Sequence, residues 1–399
     1  MKRALVVSIV SSALACGART PLGVTSDGGA VNGGDASTSC PAWPAPVSCP
    51  RWLPSGDPVL VADATDASVG VTITTAIGDG CGAVVGWYSS SGRDGSALAW
   101  FTRAIAFDGA PRAAIQAHPA LADNGVSGVM ELVAKNGRLA ALVSDAAGCR
   151  FAALGAVGAD DGPIVTEMKL GCRSFAVDGD GFSFLVPSSQ GVTPVELDHA
   201  DARGMPTSGV RLDVPKGRSV WNRLVFDDGS FLLGTFSEDP RTAVYTDWLH
   251  RFDRKGNALG PETTVGANTA PVLLARTSRG ALAAWQWSNV HVVPMDRDGV
   301  RTGAEHLFAG GSPLYGATLT TTPTGDVLLT WVDLGSDSHF RLSAQALGPD
   351  GAAYDAPVLL RAQLPSDRVF PVVAPSGDRG VVVYADHGIR ALPIGCVAH

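Results

Sequence analysis

Gly325-Asp326-Val327-Leu328-Leu329-Thr330-Trp331 sets a glycine turn ahead of a run of apolar and β-branched residues that ends in an aromatic. A run this short, bounded by a turn signal, reads as a strand. The stretch returns at Gly82 to Trp87, Gly137 to Leu142, Gly181 to Val186, Gly229 to Gly234, Gly280 to Trp285 and Gly380 to Tyr384. The seven glycines stand 44 to 55 residues apart. At such a period each unit is one supersecondary piece that can bury its apolar faces only against its neighbours.

Four strand-like pieces can be followed in several units. In the sixth, Ala317 to Thr321 is β-branched, Pro323 to Gly325 turns, and Val327 to Val332 is the second strand. Phe340 to Leu347 then alternates with period two, Pro349-Asp350-Gly351 turns, and Pro357 to Leu360 is the outer strand. The fifth and fourth units follow the same plan, with Asp296 to Gly299 and Asp253 to Gly256 as turns. Such turns favour residues that tolerate positive φ. The last unit carries three strands, ending with Gly388 to Leu392. Pro58-Val59-Leu60-Val61 precedes the first unit just as Pro357 to Leu360 precedes the last. This predicts that Pro58 to Val61 supplies the missing outer strand and closes a ring without a free edge at that point.

The expected fold is therefore all-β: a seven-bladed β-propeller of four-stranded blades, closed by an N-terminal strand in the last blade. Six and eight blades are the alternatives, because the first three units are more degenerate. Over roughly residues 58–395 the chain resembles the broad class of seven-bladed β-propellers. The resemblance is architectural: the Gly-His and Trp-Asp pairs of WD repeats are absent. Ser91 to Trp100 approaches the aspartate box of sialidase-like propellers with the wrong spacing.

Composition agrees with a turn-rich β protein. Glycine (48) and proline (26) are abundant, and charged residues make up only 17%, below the usual ~25%. The 45% apolar content is ample for a core and excludes global disorder. With a net charge of −8 and no basic run, the chain has no electrostatic footprint for nucleic acid.

Residues 1–15 read as a signal peptide: Lys2 and Arg3, an apolar stretch from Ala4 to Ala15, then Cys16. The stretch is too short to span a membrane, which takes ~20 residues. Ala13-Leu14-Ala15-Cys16 resembles a bacterial lipobox, although leucine stands one residue later than in the best-matching examples. The resemblance implies lipidation of Cys16 and, with Gly17 next, an outer-membrane lipoprotein; the alternative is a freely secreted or periplasmic protein. Residues 16–50 hold Gly28, Gly29, Gly33, Gly34 and four prolines from Pro41 to Pro50. Such a segment cannot offset its ordering entropy by burial and reads as a tether ahead of a propeller over 51–399.

Besides Cys16 the chain has Cys40, Cys49, Cys81, Cys149, Cys172 and Cys396. An even number in an exported chain reads as disulfides. Cys149 with Cys172 would staple adjacent blades. Cys40 and Cys49 are close in sequence, and Cys396 has two openings: to pin the tail near the closure or to reach Cys81.

Recognisable chemistry is scarce. There is no nucleophile elbow, phosphate loop or zinc-protease helix motif. No two histidines share a metal-binding spacing, so no metal or cofactor is expected, and each histidine reads as surface or packing. Asp178 to Gly181 and Asp296 to Gly299 look like calcium-loop openings, but Ser189 and Leu307 stand where the bidentate glutamate is needed. Trp87, Trp285 and Trp331 read as inter-blade packing. The sequence thus favours a non-catalytic, surface-anchored monomer that binds an unknown protein or glycan and meets the membrane only through a lipid. The alternatives are a carbohydrate-active hydrolase or lyase, or a lectin-like sugar binder, with its site at the channel mouth.

Overall fold

The computed structural model describes residues 48–63, 72–78, 81–90, 98–118, 129–135, 138–144, 149–154, 165–167, 172–178, 181–186, 195–201, 205–239, 241–242, 244–267, 272–286, 289–308, 314–364 and 371–397. Among the described residues twenty-nine strands form seven antiparallel sheets, and there is no helix. Six sheets are four-stranded meanders in chain order. The innermost strands are Thr72–Gly78, Val129–Lys135, Arg173–Asp178, Ser219–Val225, Leu273–Thr277, Leu314–Thr321 and Val372–Ser376. Each packs on the next, and the last packs on the first. The molecule is a closed seven-bladed propeller.

The repeated stretch is the second strand of every blade: Gly82–Ser90, Arg138–Ser144, Gly181–Val186, Phe231–Asp239, Gly280–Gln286, Val327–Leu334 and Arg379–Ala385. It is apolar throughout because the blades stack and cover both faces. The core is divided accordingly into seven apolar clusters, each at the seam between two adjacent blades. The three tryptophans of the repeat all serve the seam with the preceding blade. Trp87 joins Val372 and Val383 of blade 7, Trp285 joins Leu224 and Leu249 of blade 4, and Trp331 joins Leu282 and Val292 of blade 5.

The repeated glycines do two different jobs, which the sequence pattern merges. Gly325 lies ahead of its strand, in a turn with φ +83° that donates its N–H to Thr322. Gly181 opens its strand, and a Cβ there would sit 1.9 Å from the carbonyl oxygen of Ala200 on the third strand. The first needs glycine for its backbone angle. The second needs it because two strands meet closely.

The ring closes as expected and then goes further. Val59–Asp63 pairs antiparallel with Gly388 to Ala391 of the final strand, Gly388–Val397. Arg51–Pro54, which the sequence reading does not assign to a strand, pairs with Ile394 to Val397 of the same strand. The two segments thus lie end to end along one edge. Between them the closing chain loops out over residues 55–58, opposite Leu392 and Pro393, and the Ser55 N–H bonds the Pro393 carbonyl at 3.0 Å. Pro393 has no N–H to offer a paired neighbour, so the ladder is interrupted there.

Cys49 is 1% exposed and disulfide-bonded to Cys396, with Cα atoms 5.6 Å apart. Cys396 is therefore not the partner of Cys81, and Cys49 is not paired with its sequence neighbour Cys40. Residues 48–50, grouped by composition with the tether, dock on the propeller. Cys81 and Cys172 are also disulfide-bonded. Cys16, Cys40 and the side chain of Cys149 lie outside the described residues.

Candidate functional site

A buried polar group spans the seams of blades 2, 3 and 4. Glu131, 5% exposed, sits in the inner strand of blade 2. Its carboxylate accepts the Ser174 N–H at 2.7 Å and the Phe175 N–H, two successive donors on the inner strand of blade 3. That strand is bulged between Arg173 and Ala176, and Ser174 has φ +57°. A bulge with a left-handed residue turns neighbouring N–H groups to one side, where an anion can take both.

Arg223 of blade 4 approaches the same bulge from the opposite seam. Its Nη2 donates to the carbonyls of Ser174 at 2.7 Å and Ser183 at 2.9 Å, and its Nη1 donates to the Ser183 hydroxyl at 3.0 Å. Burial pulls the guanidinium down from 12.5 to about 10, while Asp178 and Glu131 push it back up, so it stays charged at neutral pH. Asp178 completes the group, with His199 Nδ1 at 3.0 Å and Arg254 Nε at 2.7 Å. Burial pushes the Asp178 carboxyl up, but the His199 hydrogen bond and the charges of Arg254, His199 and Arg223 outweigh it and hold the group below 3.8.

These side chains direct their polar atoms at backbone and at one another across seams. Their chemistry is positional: they lock three blades in register. A second cluster lies among turns of blades 4 and 5. There Arg251 binds Asp228 at 3.2 Å and Asp298 at 2.7 Å, and Arg276 binds Asp227 at 2.6 Å. These aspartates are largely exposed, and such pairs contribute little each.

The residues singled out in the sequence fall into the same framework. His118 stacks on Trp100 at 3.7 Å and bonds Thr102 at 2.8 Å. His291 stacks on Trp285 at 5.2 Å and pairs with Glu305 at 2.6 Å. His250 bonds the Gly260 carbonyl at 2.9 Å. Asp296 uses its carboxylate to accept the N–H groups of Asp298 and Val300, each at 2.9 Å, which makes its loop a turn. Among the described residues no group of three or more His, Cys, Asp or Glu is placed to hold a metal ion. Most of Ser91 to Trp100 lies outside the described residues. A shallow surface crevice lies between blades 6 and 7, against Trp52, Gln345 and Val358, and it encloses no volume that would hold a small molecule.

Sequence reasoning missed Glu131, Ser174 and Arg223. The available signal was a charge inside an apolar strand, as in Val129-Met130-Glu131-Leu132-Val133 and Asn222-Arg223-Leu224-Val225.

No protein-family model matches the sequence, and no curated protein matches it. Solved structures do match in shape. A puromycin-hydrolysing peptidase of Mycobacterium tuberculosis aligns with TM-score 0.54 at 12% identity, over 87% of this chain and 56% of that one. This chain therefore spans about half of that peptidase. BBS1N, solved in complex with ARL6DN, aligns with TM-score 0.51 at 10% identity, over 88% of this chain and 98% of that one. The Dos1 propeller aligns with TM-score 0.45 at 16% identity, over 86% of each chain. At these identities the likeness to the peptidase and to BBS1N shows a shared fold.

Proposed function

We propose that this chain is a non-catalytic binding or scaffold propeller, held at the cell envelope by a lipid on Cys16 and offered to a protein partner at the end of a flexible tether. The observation that carries the reading is where the N-terminal segment enters the ring. Residues 48–63 run along the outer edge of blade 7, and Cys49 is bonded to Cys396. A tether ending there attaches at the outer edge of the ring, on the opposite side of blade 7 from its innermost strand. The buried charges described above are engaged in holding blades together, which suits a scaffold. The BBS1N structure offers an analogy of fold, since that domain was solved with a partner protein.

Mass spectrometry of the mature N-terminus tests the anchor: a lipid-modified Cys16 is expected, and an unmodified terminus overturns it. Glycan-array binding and broad glycosidase screens test the rest. Both are expected to be negative. Turnover of a glycoside overturns the non-catalytic reading in favour of a hydrolase, and saturable glycan binding favours a lectin.

A further inference from the structure

We infer that the Cys49–Cys396 disulfide is a mechanical strain relief, which carries force from the N-terminal segment past the closing strand and into the centre of blade 7. The inference rests on the tether reading for its biological use, since only an anchored chain is pulled from that side. The geometry itself stands on residues 48–63 and 388–397.

The closing strand is the weak point of a ring made this way. Arg51–Pro54 and Val59–Asp63 form the outer edge of blade 7 and pair on one side only, with the final strand. Their ladder is broken at residues 55–58. A pull from ahead of Ser48 would load Arg51 first and peel the pairs one after another toward Asp63. Sequential peeling loads one pair at a time, so it needs less force than shearing all pairs together. Once Asp63 is free, the ring has lost its closure.

The disulfide stands ahead of the first of those pairs. Cys49 precedes Arg51, and Cys396 is the residue opposite Trp52 in the ladder. Tension arriving at Cys49 therefore passes to Cys396 without crossing the Arg51–Pro54 pairs. Cys396 belongs to the final strand, which pairs with the closing segment on one side and with Arg379–Ala385 on the other. Six of its ten residues are buried, including Ile389, Ala391, Leu392 and Ile394. Dislodging it means tearing apart the apolar seam with blade 6, where Trp52, Leu342, Leu360, Val382 and Tyr384 pack with Leu392 and Ile394. Two further contacts brace the entry on blade 6. The Ser48 hydroxyl donates to Asp326 at 3.1 Å, and Arg51 pairs with Asp355 at 3.4 Å.

Single-molecule pulling tests this, with one handle on the segment ahead of Ser48 and the other on an exposed turn of blade 4. Wild type is expected to resist without an early event and to open at high force. Cys49→Ser with Cys396→Ser is expected to gain a distinct low-force event that releases residues 51–63 before the rest. A second attachment guards against a variant that folds poorly. In wild type with the disulfide intact, a handle at Asp57→Cys bypasses the bridge and is expected to release residues 57–63 at low force. The same first event at the same force in wild type and the double variant overturns the inference, as does high resistance at Asp57. These results stand apart from the mass of the N-terminus, which tests the anchor alone.

Discussion

Replacing Glu131 by alanine is the sharpest test of the buried polar lock between blades 2 and 3. The side chain is 5% exposed and accepts two backbone N–H groups, those of Ser174 and Phe175. Hydrogen bonds to a charged acceptor contribute about 1.5–3 kcal/mol each. The two share one carboxylate, so their loss is less than additive, and Arg223 also loses one of two nearby acids. The left-handed Ser174 adds about 1 kcal/mol of backbone cost, which the carboxylate now helps to offset. Together these give an expected loss of about 3–5 kcal/mol, in line with breaking a buried charged contact by removing one partner. Glu131→Gln keeps one acceptor oxygen and turns an NH₂ toward the other donor, so it should lose about half as much. Denaturant unfolding reads the loss. Hydrogen exchange at the Ser174 and Phe175 amides localises it, with faster exchange there than in the second strand of blade 6. An alanine variant within about 0.5 kcal/mol of wild type, the usual range for an inert surface change, would refute the positional role of Glu131.

Three further outcomes follow from the geometry. The Asp178 carboxyl is held below 3.8, so its contribution is present above about pH 4 and lost as pH falls through its lower folded value. Asp178→Asn should therefore flatten the acid limb of a stability–pH curve, and an unchanged limb would contradict the ion-pair assignment. Tyr354 is raised by burial and by its 2.6 Å bond to Asp326, to about 12. Its contribution is present below pH 10 and lost as pH rises toward 12, and Tyr354→Phe should remove that slope in an alkaline titration of melting temperature. Gly181→Ala places a Cβ 1.9 Å from the Ala200 carbonyl oxygen and should cost about 3 kcal/mol, whereas Gly217→Ala meets no atom within 4 Å and should cost only the strain of its +82° φ. Comparable melting temperatures for the two variants would show that close strand approach is not what keeps Gly181.

Much of the framework could be read from residues alone because its cause is local. Gly325 to Trp331 and its copies are apolar throughout since a second strand is covered by blades on both faces, and a face-to-face burial of that kind leaves its mark in consecutive residues. The inter-blade role of Trp87, Trp285 and Trp331 followed from the same position in the repeat. The polar lock was less legible. Glu131, Ser174 and Arg223 are 43 and 49 residues apart in pairs, so nothing in sequence spacing joins them. Each shows only as a polar residue within a strand, and a bulge that aims two N–H groups at a neighbouring blade has no sequence period.

The closure divides the two kinds of information most clearly. The sequence by itself determined that the chain is a ring of repeated four-stranded units, that the last unit lacks a strand, and that the segment around Pro58 to Val61 makes up the deficit. Those conclusions rest on hydrophobic period and turn chemistry, which act over a few residues. Only the tertiary structure decided that Arg51–Pro54 extends the same edge, that Pro393 breaks the ladder between the two segments, and that Cys49 takes Cys396 as its partner across 347 residues. Pairings between the two ends of a chain depend on register and on what the completed ring brings together, and no local pattern encodes that proximity.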